Sequence, residues 1–582
     1  MSAAGWVQIA IFGVLVAIST PLLGIYMYKV FDRQKHPGSR AFDVVDNAIY
    51  RVCRIDPDGE QRWNVYAISC LLFSLVGFLL MYVLIRVQGH LPLNPDHLTN
   101  GGPGLSFNTG ISFITNTNWQ VYAGETTMSQ LSQMLALTVH QFLAGAVGIA
   151  VAVALIRGIA RRRRLTLGSF WVDLVRSSVR ILLPLSIVLA IVFMSQGVVD
   201  NFHGNRTYKP VDKALVQTKA TADSPAGSAV VPGGPVASQE AIKELGTNGG
   251  GFYNANSGHP FENPNGFTNF LQMYFAALIG FGLTYTFGKM VGDTRQGWAI
   301  FAVMLAFWAL PMVGAQLLET HGNPKITSAG ASQTATATNP GGNMEGKEVR
   351  FGPAASAMHG SNSTSTTTGS VNSSHDSWTA LGGAIVLTNI LLGEYGPGGI
   401  GSGLYGVLIL ALVTIFIAGL MVGRTPEYMG KKIRAPDVKL ATLYVLAVPL
   451  VTLVFAGIAS VLSTAVSQLG NTGPHGLSEI LYSYASAANG NGSAFPGITV
   501  TSHWFQLSLA FAILVGRYLL IVPTLAIAGG SARKQPSPPS AGTFPTHGPL
   551  FAGLLFSVIL ILVGLTYFPV LSLGPIVEHL KL

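Results

Sequence analysis

The sequence is poor in charge. Asp, Glu, Lys and Arg make up only 10% of its 582 residues, whereas hydrophobic residues make up 49% and the mean hydropathy is +0.46. A soluble globular protein carries about 25% charged residues, so this composition excludes one. Cysteine is also scarce: Cys53 lies in a charged stretch and Cys70 in an apolar one. Two cysteines placed in this way give neither a disulfide framework nor the ligand spacing of a metal site.

Long apolar runs take up most of the chain, and each is close to the roughly 20 residues that a helix needs to cross a bilayer. They predict an all-α polytopic membrane protein with ten transmembrane helices. The predicted spans are 6–31, 63–87, 128–156, 172–196, 265–290, 297–318, 380–423, 438–464, 500–527 and 549–572. The seventh is too long for one straight helix, and its glycine-rich stretch 393–399 predicts a break there. The first run is too long for a signal-peptide core and is expected to remain as a membrane helix.

Basic residues are distributed unevenly between the loops. Those that follow odd-numbered spans are rich in Lys and Arg, for example at 161–164, whereas 88–127 and 465–499 contain neither residue. Because cytoplasmic loops carry the excess of Lys and Arg, both termini are predicted to lie outside the cytoplasm. The net charge of +9 is therefore attributed to orientation in the membrane, and no nucleic-acid partner is expected.

Four loops on the predicted outer side contain similar polar stretches rich in Gly, Asn or Thr. The stretches are 115–120, 246–251, 366–371 and 489–494. If Asn118, Gly249, Gly369 and Gly492 are equivalent, their separations are 131, 120 and 123 residues, which indicates an internal repeat. Short, weakly apolar segments precede the stretches, most clearly at 105–114 and 478–487. The predicted unit is helix, re-entrant short helix, pore loop and helix, repeated four times with one extra helix at each end.

Loops of this composition suit a cation pore. Non-helical backbone at membrane depth is tolerated where it lines a wet cavity, and a ring of carbonyl oxygens can replace the water shell of a cation. Turning successive carbonyls to one side requires positive φ, which Gly and Asn adopt more readily than most residues. The alternative is that each stretch is a plain turn. The segment 361–374, taken alone, is so rich in Ser and Thr that it is typical of a disordered linker.

Longer motifs then resemble a known family. Residues 246–257 (GTNGGGFYNANS), followed by 259–264 (HPFENP), are similar to the second pore loop of the KdpA family. That family supplies the potassium-binding, channel-like subunit of the bacterial Kdp potassium pump. Residues 401–406, 423–428 and 545–550 resemble the same family, and the similarity extends over essentially the whole chain.

The resemblance implies a potassium-channel-like fold of the Trk/Ktr/HKT superfamily. It also implies three partners: a P-type ATPase subunit (KdpB), a single-span subunit (KdpC) and a small peptide (KdpF). Potassium would be the transported ligand, and no cofactor is expected. The implied filter residues are Asn116, Thr117, Asn118, Thr247, Asn248, Gly249, Thr367, Thr368, Gly369, Gly490, Asn491 and Gly492. Gln120 matches a filter-adjacent position that affects potassium affinity.

The predicted organisation follows the repeats. A first helix with its cytoplasmic loop covers 1–62, and a cytoplasmic loop with the last helix covers 529–582. The four pore repeats between them are predicted at 63–171, 172–296, 297–437 and 438–528.

Two charged residues fall within predicted spans. Arg517 lies in the middle of the ninth span, where a charge is costly and usually functional, although its side chain could instead reach the cytoplasmic surface. Glu394 lies in the break of the seventh span and is either a partner of Arg517, part of a gate, or a solvated loop carboxylate. Both are predicted as gating or coupling residues.

No Asp-Lys-Thr-Gly phosphorylation motif is present, so the chain is not expected to be an enzyme by itself. It is predicted to be the ion-selecting subunit of an ATP-driven potassium uptake pump in the bacterial inner membrane. One alternative is a stand-alone potassium channel or gradient-driven transporter of the same superfamily. Another is a membrane scaffold in which the glycine-rich loops are only turns.

Overall fold

The computed structural model describes residues 3–211, 228–538 and 544–581, and most of them are helical. The α-helices are α1 (Ala3–Phe31), α2 (Ser39–Cys53), α3 (Trp63–Val87), α4 (Pro103–Ile114), α5 (Gly124–Thr127), α6 (Val139–Ala160), α7 (Phe170–Arg176), α8 (Leu183–Ser195), α9 (Val236–Leu245), α10 (Gly266–Val291), α11 (Thr294–His321), α12 (Pro324–Ser328), α13 (Gly352–Ser365), α14 (Ala380–Leu391), α15 (Ser402–Met421), α16 (Ala435–Val461), α17 (Ser463–Val466), α18 (Gly473–Asn489), α19 (His503–Ala532), α20 (Pro549–Leu571) and α21 (Val577–Leu580).

Ten helical segments within the described residues are long and apolar enough to cross a membrane, as the hydropathy of the sequence predicts. The seventh predicted span is interrupted, as its glycines indicate. Helix α14 is too short to cross a bilayer, whereas α15 is long enough, and residues 392–401 between them are not helical. Two spans contain π-helical turns: Ser132–Thr138 leads into α6, and Ser177–Leu182 joins α7 to α8.

The description as all-α needs a small amendment, because three short antiparallel ladders connect loops. They pair β1 (Gln61–Arg62) with β2 (Thr166–Gly168), β3 (Arg206–Tyr208) with β4 (Ala229–Val231), and β5 (Glu427–Tyr428) with β6 (Lys431–Lys432). Hydropathy carries no signal for ladders of two or three residues. They do not change the helical class of the fold.

Four half-length helices, α4, α9, α13 and α18, each lie between two membrane-spanning segments. The order long helix, half helix, loop and long helix therefore occurs four times, with α1 before the array and α20 after it. Helix α1 packs on α10, and the ring of Phe12 stacks on Trp308 with centroids 4.7 Å apart. The predicted residue boundaries of the repeats stay a prediction.

Candidate functional site

The four half helices end where the four polar stretches begin. Helices α4, α9, α13 and α18 end at Ile114, Leu245, Ser365 and Asn489, respectively. Each therefore directs its partly negative C-terminal end toward the loop that follows, which favours a cation there. The stretches are buried: Thr117, Asn248, Thr368 and Asn491 are at most 1% exposed.

The backbone alternates in the same way in all four stretches, where the first and third residues have positive φ and the middle one does not. The first residues are Asn116, Thr247, Thr367 and Gly490, at φ values of 70°, 49°, 55° and 83°. The third residues are Asn118, Gly249, Gly369 and Gly492, at 54°, 76°, 81° and 94°. Positive φ is costly for the β-branched threonines. Its repetition at equivalent positions indicates that the four stretches share one backbone conformation.

The four stretches meet one another in a closed ring. A β-carbon built on Gly249 would lie 1.7 Å from the carbonyl oxygen of Thr368 in the next stretch. The same construction places Gly369 2.0 Å from the oxygen of Asn491, and Gly492 2.1 Å from that of Thr117. The ring closes between the first and second stretches, because a β-carbon on Gly250 would lie 2.8 Å from Cβ of Asn118. Only glycine fits the three contact positions, because a β-carbon would overlap the neighbouring carbonyl.

The middle residue of each stretch leaves its carbonyl oxygen available. Within the described part of the chain, the oxygens of Thr117, Asn248, Thr368 and Asn491 accept no hydrogen bond from the backbone. Buried carbonyl groups are nearly always paired, so four unpaired ones in a ring need an explanation. A dehydrated cation is a suitable partner for such oxygens.

Side-chain amides join the first and second stretches. The Asn116 amide donates to the carbonyl oxygen of Thr247 at 2.9 Å, and the Asn248 amide donates to Oδ1 of Asn116 at 2.5 Å. Gln120, the predicted filter-adjacent residue, donates to the Gly251 carbonyl at 3.0 Å and accepts from the Gly251 amide at 3.2 Å. Gln120 therefore fixes the outer end of the second stretch and does not itself belong to the ring.

A buried group of charges, which the sequence reasoning missed, lies behind the second stretch. Lys243 Nζ is 2.8 Å from Glu240 Oε2, 2.9 Å from Glu262 Oε2 and 3.6 Å from Glu244 Oε1, and all four side chains are at most 1% exposed. Lys243 also donates to Ser257, and the neighbouring Asn256 amide donates to the Gly249 carbonyl at 2.7 Å. The group thus supports the backbone of the second stretch. The sequence carries a signal for this group, because Glu240, Lys243 and Glu244 place charges at i, i+3 and i+4 of a short helix between membrane spans.

The non-helical segment 392–401 lies against the ring. The amides of Gly396 and Gly398 donate to the Ser365 carbonyl at 3.1 and 2.9 Å, and that of Gly399 donates to Thr367 Oγ1 at 2.9 Å. The amide of Ile400 donates to Thr247 Oγ1, also at 2.9 Å. These bonds use backbone donors that the break in the helix sets free, which is why irregular backbone is tolerated here.

The two charged residues predicted in spans lie at different places around this segment. The Glu394 carboxylate accepts from the Asn491 amide at 2.7 Å, so it contacts the fourth stretch directly. Arg517, in the middle of α19, donates to the Ala144 carbonyl of α6 at 3.2 Å. The possibility that the two are partners is wrong, because no ion pair joins them among the described residues and each has the partner named above. Neither is a solvated surface group, since Glu394 is 1% exposed and Arg517 is half-buried.

The segment 361–374, which taken alone is typical of a linker, is ordered and mostly buried. Its first five residues end α13, and 366–369 form the third stretch of the ring. Its threonines bond within the protein: Thr366 Oγ1 is 2.7 Å from Thr368 Oγ1, as Thr115 Oγ1 is 3.0 Å from Thr117 Oγ1 in the first stretch. The buried hydroxyls of Ser361, Ser363 and Ser365 have no hydrogen-bond partner among the described residues. Composition misleads here because the segment is buried against the other stretches of the ring, and a local pattern does not reveal such distant contacts.

Fold and site together define a membrane protein with four pore loops arranged around one ring. In fold it is similar to the potassium transporter TrkH from Vibrio parahaemolyticus, with a TM-score of 0.51 and 15% identity over 90% of this chain and 98% of that one. The chain belongs to the KdpA family, described as the potassium-transporting ATPase A subunit, which it matches over residues 9–580.

Two curated relatives illustrate the closeness of this match. The protein from Mycobacterium tuberculosis (strain H37Rv) is 50% identical over 582 residues and is covered in full, as is this chain. The protein from Mesorhizobium japonicum is 49% identical over 582 residues, which cover 100% of this chain and 99% of the relative. Both are named potassium-transporting ATPase potassium-binding subunit.

Proposed function

We propose that this chain is the potassium-binding, ion-selecting and translocating subunit of a high-affinity ATP-driven potassium uptake pump. Support comes from its family and from full-length relatives at about 50% identity that carry this name. The chain is a non-catalytic subunit of such a complex and carries no Asp-Lys-Thr-Gly motif, so the energy for uptake has to come from an ATPase partner.

Potassium binds, in this proposal, within the ring of the four stretches. The observation that carries it is the ring of unpaired carbonyl oxygens at Thr117, Asn248, Thr368 and Asn491, set between residues of positive φ. Such oxygens can replace the hydration shell of potassium, and the C-terminal ends of four half helices add a favourable field. The twelve predicted filter residues are the ones that build this ring.

The ion then passes below the ring to a P-type ATPase subunit. Segment 392–401 lies beneath Thr247 and Thr367, so its displacement is the step that opens a path. Glu394, which contacts the fourth stretch, and Arg517, which contacts α6, act as gating or coupling residues. The resemblance to the KdpA family supplies the further partners, a single-span subunit (KdpC) and a small peptide (KdpF).

The complex is placed in the bacterial inner membrane, with both termini of this subunit outside the cytoplasm. The support is the distribution of charge: 88–127 and 465–499, on the side of the pore loops, contain no Lys or Arg. The ring therefore opens to the outer side, where potassium is captured.

A stand-alone potassium channel or gradient-driven transporter is the second candidate, since TrkH has this fold and is a potassium transporter. Purification of the chain together with any bound partner distinguishes the two proposals. A pump subunit brings with it an ATPase that potassium stimulates, whereas a channel gives potassium current in the absence of nucleotide.

The filter itself is tested by Gly249→Ala in the co-expressed complex. The new β-carbon would meet the Thr368 carbonyl, so we expect the potassium concentration for half-maximal ATPase activity to rise by about tenfold or more, and discrimination against sodium to fall. Gly292→Ala is the matched control, because Gly292 has a similar φ of 81° but open space around it. If both variants retain wild-type affinity and selectivity, the loops are only turns and the scaffold alternative holds.

A further inference from the structure

One face of helix α2 is joined to the bundle through charged residues, and another face is apolar and exposed. Its buried face is fixed to the bundle: Arg180 Nη2 lies 2.7 Å from both Asp43 Oδ1 and Asp46 Oδ2, and Tyr50 packs against Val172. A second face, made of Ala41, Val45, Ala48 and Val52, is exposed, with Val52 82% accessible. The spacing of these residues, four, three and four, aligns them in one stripe along the helix. An exposed apolar stripe on a helix that is already docked needs a cover.

Basic side chains flank this stripe. Arg40, Arg51 and Arg54 are exposed, and none of them forms an ion pair within the described part of the chain. The acidic residues of the helix, Asp43 and Asp46, are already paired with Arg180. A helix with an apolar stripe bordered by arginines lies in a membrane interface, where the arginines meet anionic headgroups. The described loops at this end of the bundle are those opposite the pore ring.

A cavity of about 740 Å³ lies beside the stripe, between α2 and the bundle. Its walls are mainly apolar and include Ile49 and Cys53 of α2, Phe73 of α3, Leu143 of α6 and Trp171 of α7. Its volume lies within the range of about 300–1,000 Å³ that is usual for ligand sites.

The position of Phe73 in α3 shows how deep into the bilayer the cavity reaches. Phe73 is ten residues into α3 from Trp63, which places it about 15 Å from the end of the bundle. Half of the hydrocarbon core of a bilayer is also about 15 Å thick. The cavity therefore runs from the headgroup level to near the bilayer centre, which is the depth of one acyl chain.

Polar groups line the cavity as well. Arg54, Asp56, Glu60 and Gln61 are among its lining residues near the membrane surface. The carboxylate of Glu60 is held by both Arg161 nitrogens at 2.8 Å, and that of Asp56 accepts the Asp58 amide at 3.0 Å. Arg54 is the basic residue in this lining, so its guanidinium is the group that can meet an anionic ligand.

We propose that α2 and this cavity form a binding site for one anionic glycerophospholipid, with its phosphate at Arg54 and one acyl chain in the cavity. The occupant is a membrane lipid and not a soluble anion, because the apolar walls extend to the depth of an acyl chain. The proposal does not depend on the potassium function, since it concerns the end of the bundle opposite the ring.

Cys53 offers a direct probe, because it is exposed and lines the cavity, whereas Cys70 is buried. The full-length chain is placed in nanodiscs of phosphatidylglycerol or of phosphatidylcholine, and the rate of maleimide labelling is measured. We expect phosphatidylglycerol to slow the labelling of Cys53 at least about fivefold relative to phosphatidylcholine, and Arg54→Ala to abolish the difference, as expected for one arginine at a charged surface. Equal rates in the two lipids would overturn the proposal.

Native mass spectrometry of the purified chain with added phosphatidylglycerol gives a second measurement. Ile49→Trp fills the cavity from the docked helix and should remove one bound lipid. Ile187→Trp is the matched control: Ile187 is 52% exposed on the outer surface of α8, so the lipid count should stay that of the wild type. The proposal fails if Ile49→Trp, folded as judged by its thermal transition, retains the same number of lipids.

Discussion

The third and fourth repeats differ in the helix that follows the ring stretch. After its half helix and ring stretch, the fourth repeat continues into α19, an uninterrupted helix of 30 residues. The third repeat continues into α14, breaks at 392–401 and resumes as α15. The broken segment forms hydrogen bonds with residues of the ring, whereas α19 packs on the neighbouring helices α16, α6 and α18.

The difference shows where movement can be coupled to ion binding. Amides of Gly399 and Ile400 donate to hydroxyls of two ring stretches, and Glu394 accepts from a third. A change in the ring therefore changes the stability of the segment directly. Arg517 contacts α6 alone among the hydrogen bonds of the described residues, so its influence on the ring is less direct.

The largest effect is expected from Gly401→Ala, which changes a residue of the broken segment itself. Gly401 has a φ of 84°, and a β-carbon there would lie 2.0 Å from the Gly148 carbonyl of α6. The segment has to shift, so we expect potassium-stimulated ATPase activity of the complex to fall about tenfold or more.

Gly423→Ala is its matched control at the other end of α15. Its φ is 66°, but nothing lies within 4 Å of the added carbon. Wild-type activity of Gly401→Ala would show that the position of the segment does not matter for transport.

Much of this architecture was predictable from sequence because hydropathy is a local property. The ten spans, the break at 393–399 and the four polar stretches follow from composition and spacing alone. Glycine at 249, 369 and 492 marks positive φ because it has no side chain. The same conformation at Thr247 and Thr367 has no such signal, and only the repeat implies it.

What the sequence could not provide are contacts between distant residues. Lys243 and Glu262 are 19 residues apart, and Glu394 and Asn491 are 97 apart, so no local pattern pairs them. Pairing Glu394 with Arg517 by their opposite charges was reasonable but wrong. In the structure an amide, and not the arginine, bonds Glu394, and it does so through Oε2.

Glu394→Gln should have the next largest effect, because it replaces one oxygen of the carboxyl group that bonds the Asn491 amide of the fourth stretch with an NH2 group. Leaving a buried donor or acceptor without its partner costs about 1–3 kcal/mol. We therefore expect the potassium concentration for half-maximal ATPase activity to rise by roughly tenfold.

Glu319→Gln separates this effect from a general loss of stability. Glu319 is a buried carboxylate of the same repeat, paired with Lys347 at 2.8 Å outside the ring. That variant should lower the melting temperature and leave the potassium dependence unchanged. If the two variants shift the potassium dependence equally, Glu394 has no special role in coupling.

Arg517→Ala probes the continuous helix and should have a smaller effect. Its guanidinium is half-buried and donates to one carbonyl, so the protein should fold, with a melting temperature within a few degrees of the wild type. We expect a several-fold change in potassium affinity or in the coupling of ATPase activity to uptake, because a fixed positive charge near the proposed path would oppose cations. Unchanged affinity together with unchanged coupled activity would refute the role. Arg517→Lys keeps the charge and should restore most of the wild-type behaviour.

The smallest effect concerns a contact that joins the third and fourth repeats on the side of the pore loops. His475 of α18 bonds Asp376 at 3.0 Å and Glu578 of α21 at 2.9 Å. Burial alone would lower the pKa of His475, but hydrogen bonds to the two carboxylates raise it to about 10. An unfolded histidine titrates near 6.5, so the stabilisation is complete below about pH 6.5 and is lost as the pH rises through about 10.

Thermal unfolding at pH 7 and at pH 10.5 tests this contact. The wild type should lose about 1 kcal/mol more than His475→Gln between the two conditions, since the histidine and carboxylates are only partly accessible. His503→Gln, at an exposed histidine that begins α19, should behave as the wild type. Because the contact lies outside the ring, the potassium dependence of the ATPase should not follow its titration. A parallel shift in potassium affinity would mean that the two repeats are coupled through their outer loops as well as through the broken segment.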